Sequence, residues 1–137
     1  MQYRLYYFLL SLLIIAGCRK SDFILETSSG SFRDDGSGTG TVTWTKNNEY
    51  ILEGLVFVND GQTLTLEAGP VVRFRTGQAE NASALIVARG GKIIANGTRE
   101  EPVIFTVEGD DLQGSVARGS RGLWGGLIIL GNAPVNV

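Results

Sequence analysis

From residue 43 onward the chain alternates short apolar runs with glycine turns, and no helical period of 3.6 survives. Three runs resemble one another: Leu55-Val56-Phe57-Val58, Leu85-Ile86-Val87-Ala88 and Leu127-Ile128-Ile129-Leu130. Each meets a turn signal, at Asn59-Asp60-Gly61, Arg89-Gly90-Gly91 and Gly131-Asn132. After the first two comes a second strand, Thr63–Leu66 and Lys92–Ala95. A third follows, Pro70–Phe74 and Pro102–Phe105, while the third copy is abbreviated. The polar or glycine-rich stretches 75–83 and 108–122 read as insertions between strands.

The three prolines sharpen this repeat. Pro70, Pro102 and Pro134 are each followed by valine and stand 32 residues apart. Proline cannot donate to a strand ladder, so it suits the first position of a strand. Copies of two or three strands cannot bury an apolar face alone, but parallel stacking of copies gives a continuous core. The expected fold is all-β, a right-handed parallel β-helix, incomplete at Val137. A β-sandwich also recurs with glycine turns. Strand order and proline position repeating together favour the solenoid, and place Leu55, Leu85 and Leu127 in successive coils.

The N-terminus has another character. Arg4 precedes a short apolar run through Ile14, too short for the roughly 20 residues of a spanning helix. This is the layout of a secretory signal. It ends in Ile15-Ala16-Gly17-Cys18, which resembles the bacterial lipobox. That resemblance implies cleavage before Cys18, lipid on its thiol and a palmitate-type acyl group on its amine. Cys18 is the only cysteine, so no intrachain disulfide can form. Residues 18–42 then read as a Gly/Ser/Asp-rich tether, whose composition buries too little to order itself. The expected organisation is a signal peptide over 1–17, the tether over 18–42 and β-helix coils over 43–137. The membrane, reached through Cys18, is the expected partner. Arg19 is not the aspartate that marks inner-membrane retention, which points to the outer membrane.

Composition removes several chemistries. With no histidine and one lipidated cysteine, Ser-His-Asp and Cys-His catalysis are excluded, and so are histidine- or thiolate-ligated metals. Twelve basic residues, interspersed among fourteen acidic ones, form no stripe that would hold nucleic acid. Glu108, Asp110 and Asp111 are weak metal candidates. Their spacing fits neither an EF-hand nor a calcium-binding β-roll, and a solvated loop is the simpler reading. No two carboxylates are placed for polysaccharide cleavage. Trp124, between glycines, is a candidate for stacking on a sugar ring, although such a residue also serves as core or end-plate. Asn81-Ala82-Ser83 and Asn96-Gly97-Thr98 match the glycosylation sequon.

Three segments, Trp44 with Tyr50–Pro70, Ala82–Gly90 and Arg121–Pro134, together resemble the opening of a family of surface β-helix lipoproteins of Bacteroidota. Members are considerably longer, which implies that this chain is a fragment. The expected function is therefore a non-enzymatic, envelope-anchored β-helix module without a cofactor, used for structure or for binding a glycan or protein. The alternative is a polysaccharide-binding or polysaccharide-degrading protein whose active part lies beyond residue 137.

Overall fold

The computed structural model describes residues 31–133. Ten short strands follow in order: β1 (Phe32–Arg33), β2 (Val42–Trp44), β3 (Tyr50–Glu53), β4 (Leu55–Val58), β5 (Thr63–Leu66), β6 (Val71–Phe74), β7 (Ala84–Val87), β8 (Lys92–Ala95), β9 (Ile104–Val107) and β10 (Gly126–Ile129). They form three sheets, in the orders β1-β3-β6-β9, β2-β5-β8 and β4-β7-β10. Every pairing is parallel. Each full coil visits the three sheets once, and the next coil stacks on it. The chain is thus a parallel β-helix, and no α-helix occurs among the described residues.

The strands are short because each must turn a corner after four residues. Alternate side chains point inward. Val56 and Val58 of β4, Leu64 and Leu66 of β5, and Val72 and Phe74 of β6 are all fully buried. Burying a side chain of this size stabilises the fold by about 1.5–3 kcal/mol. The partners stack like on like: Phe32, Leu52, Phe74 and Val107 occupy one register row through the first sheet. Trp44 and Tyr50 stack with ring centroids 4.6 Å apart near the N-terminal end of this core.

Leu55, Leu85 and Leu127 do fall in successive coils of one sheet, but not in one row. Leu85 pairs with Leu127, whereas Leu55 pairs with Ala84 and Val56 with Leu85. Matching leucine to leucine slips the register by one. A slip of one turns a side chain to the opposite face. Leu55 points outward and is half exposed, while Leu85 is fully buried. The prolines slip in the same way. Val71 pairs with Ile104, so Pro70 aligns with Val103 rather than with Pro102. Pro134 lies outside the described residues.

The tether also needs correction where it is described. Residues 31–41 are stitched to the solenoid instead of standing free. β1 pairs with β3. The Asp34 carboxylate accepts the Phe57 N–H at 2.9 Å and the Gly36 and Gly38 N–H groups at 2.8 Å. Thr39 N–H donates to the Phe57 carbonyl at 2.7 Å. Gln62 and Asn59 donate side-chain N–H groups to the Ser37 and Gly36 carbonyls. Polar composition did not prevent order here, because the exposed edge of β4 supplies partners for this backbone.

Candidate functional site

The insertions gather at one corner of the prism. Between the second and third sheet positions of a coil, β4 to β5 and β7 to β8 are joined by turns over 59–62 and 88–91. Between the first and second, the connection grows from Gly54 alone, to 75–83, to 108–125. Gly54 makes the one-residue bend at φ +72, a conformation suited to glycine. The two longer loops fold onto each other. Gly77 N–H donates to the Leu123 carbonyl at 3.1 Å, and Gly125 N–H to the Ser83 carbonyl at 2.7 Å. The non-glycine residues with positive φ among those described, Ala79 and Leu112, both sit in these loops. Insertions collected on one face of a solenoid and local backbone strain are both marks of a functional surface.

A charged ladder runs along this corner. Arg33, Glu53, Arg75 and Glu108 lie at the C-terminal ends of β1, β3, β6 and β9, one per coil and alternating in sign. Glu53 accepts the Ser31 hydroxyl at 2.7 Å and pairs with Arg33 and, at 3.2 Å, with Arg75. Arg75 Nε reaches Glu108 at 3.3 Å. The hydrogen bonds from Ser31 and Arg33 hold the Glu53 carboxyl below its ordinary pKa. Beside the ladder lies a cavity of about 210 Å³, lined in part by Arg33, Glu53, Arg75, Glu80, Asn81 and Ser83. Ser83 is buried, and its Oγ accepts the Gly54 N–H at 3.1 Å.

Sequence reading did not find this ladder, because its spacing varies from coil to coil. A signal was present: Phe32-Arg33, Leu52-Glu53, Phe74-Arg75 and Val107-Glu108 are each a large apolar residue followed by a charge. The first member faces the core and the second sits at the corner.

The residues singled out from sequence are brought only partly to this place. Trp124 is at the corner, and one face of its indole stacks on Phe74 with centroids 4.1 Å apart and planes 13° apart. Half-buried, it closes the core beneath the second loop. Glu108, Asp110 and Asp111 do not converge. Glu108 pairs with Arg75, and Asp110 accepts the Thr106 hydroxyl and the Leu112 N–H. Asp111 accepts the Gln113 N–H at 2.8 Å, and bonds from Gln113 and Ser115 lower its pKa. Among the described residues no set of three His, Cys, Asp or Glu side chains is grouped to hold a metal. Ile15, Ala16, Gly17 and Cys18 lie outside the described residues. No helix among those described is long and apolar enough to cross a membrane.

A family model described as a pectate-lyase-like β-helix domain matches residues 36–137. No curated protein and no solved structure matches the chain.

Proposed function

We propose that this chain, which belongs to the pectate-lyase-like β-helix domain family, is a lipid-anchored binding or structural module of the cell envelope rather than an enzyme. One observation carries the non-catalytic reading. At the corner where the loops gather, Glu53 and Glu108 are engaged in ion pairs, and Asp110 and Asp111 accept hydrogen bonds within their own turn. A general acid or base needs a proton-transfer route to a substrate, and these four groups are committed to holding the fold, which leaves Glu80 of the cavity lining, without a hydrogen bond or ion pair among the described residues, as the carboxylate that tests this reading. What the corner offers instead is a rigid polar surface assembled from several coils. Its loops are held by the β-helix behind them, as binding loops on a scaffold are.

The lipobox Ile15-Ala16-Gly17-Cys18 supports the anchored part of this reading, with the outer membrane as the destination. Lipid on Cys18 would leave residues 19–30 as the spacer between membrane and solenoid. A thioether lipid with two acyl chains gives stable anchoring, where one chain alone binds reversibly.

The family description favours a second reading, action on or binding of polysaccharide. The two are separated by a glycan array and a lyase assay on the lipidated protein. The proposal expects no turnover. Glycan binding without turnover, weakened by Glu80→Gln or Asn81→Ala beside the cavity, would assign the module a carbohydrate ligand. Turnover abolished by one carboxylate substitution would overturn the non-enzymatic reading.

A further inference from the structure

Away from this corner, the turn after β8 carries a chemical feature that the fold does not use. Asn96-Gly97 is the one Asn-Gly pair in the chain. Both residues are exposed. The Asn96 N–H is tied to the Leu66 carbonyl at 2.9 Å, but its side-chain amide bonds no group among the described residues. The Gly97 N–H makes no hydrogen bond among the described residues: the N–H groups of Lys92 and Asn96 reach the β5 side, and β8 is the edge strand of its sheet. An electrophilic amide carbon therefore stands next to a backbone nitrogen that has no competing partner among the described residues and belongs to a residue with no side chain of its own to hinder attack.

We infer that Asn96 is a site of spontaneous deamidation in the folded protein. Gly97 N loses its proton and attacks Asn96 Cγ. The new N–C bond closes a five-membered succinimide as the Cγ–Nδ2 bond breaks, and the amide leaves as ammonia. Water then adds to either carbonyl of the ring and opens it, giving aspartate or isoaspartate. The net change is water taken up and ammonia released, with no oxidant or catalyst. Attack needs the deprotonated nitrogen, so the reaction quickens as pH rises.

The position gives the change a structural consequence. The turn 96–103 closes the corner from β8 to β9, where the Thr98 N–H donates to the Glu101 carbonyl at 3.0 Å and Glu101 pairs with Lys46 at 2.5 Å. Gly97 packs so closely that a Cβ would stand 2.8 Å from Val103 N. Aspartate adds a negative charge near Glu100 and Glu101. Isoaspartate also lengthens the backbone by one methylene in this tight contact. Age thus loosens the corner.

The chain supplies its own controls. Asn81 and Asn132 are exposed too, but alanine follows each, and its Cβ hinders the same attack. Trypsin releases Asn96 within the peptide 93–99, between Lys92 and Arg99. Folded protein held at neutral pH and physiological temperature should convert this peptide from the amide mass to the acid mass, with isoaspartate the larger product. The peptides holding Asn81 and Asn132 should lag well behind. Conversion should accelerate at higher pH and be accompanied by a falling melting temperature, and Asn96→Gln should suppress that fall. Conversion in urea-unfolded chain but not in the folded protein would overturn the inference, as would conversion at equal rates for all three asparagines.

Discussion

Glycine at two positions does quite different work. Gly91 has an ordinary φ, yet a Cβ there would stand 2.3 Å from the Val58 carbonyl oxygen of the coil below. Gly119 also has an ordinary φ and has nothing within 4 Å. Gly91→Ala should therefore destabilise the fold by about 1–3 kcal/mol, the usual cost of forcing an atom into packed backbone. Gly119→Ala should be neutral or slightly stabilising, within about 0.5–1 kcal/mol, since it only restricts the unfolded chain. Thermal denaturation of the two variants checks this, and equal effects would contradict the stacking of the Gly91 turn on β4. Trp124 gives a second case. Its stack on Phe74 makes it a packing residue, so Trp124→Ala should cost about 1–3 kcal/mol and Trp124→Phe much less. A Trp124→Ala variant that melts like the parent would reopen a purely ligand-facing role.

Among elements, the ladder Arg33–Glu53–Arg75–Glu108 ties four coils together at the corner that carries the loops. Glu53 is its hub, and its folded-state pKa is lowered. A lowered carboxylate pKa contributes stability above the unfolded value, here 4.5, and that contribution is lost as pH falls through the folded value. Denaturant midpoints measured from neutral pH down into that acid range should decline in the parent. In Glu53→Gln the neutral-pH midpoint should be lower and this part of the acid decline absent. A parent and variant with parallel pH profiles would show that the ladder contributes nothing to folding. The elements were largely legible in the sequence. β4 through β10 correspond to runs whose alternation and glycine turns mark strands, and 75–83 is an insertion in both readings. Register was not legible, because leucine identity aligned Leu55 with Leu85 while burial aligns Val56 with Leu85. Residues 31–41 were misread because their order depends on the edge of β4, a partner that local composition does not contain. The corner escaped for the same reason: Arg33 meets Glu53, and Trp124 meets Phe74, only after coils have stacked.

For the molecule as a whole, stacked coils explain how so short a glycine-rich chain keeps a continuous core. Leu52, Leu64, Leu66, Phe74 and Leu85 are fully buried in adjacent coils. The same construction places the two longest loops, 75–83 and 108–125, on one corner, and leaves the functional claim resting on where that corner is held. Cys18 decides this. Growing the producing cells with a labelled fatty acid and isolating the full chain from membranes is the most direct test. The account predicts labelled, membrane-bound protein that becomes unlabelled and leaves the membrane fraction in Cys18→Ala. Label that persists in Cys18→Ala, or a parent protein that never acquires it, would contradict a lipid-anchored β-helix.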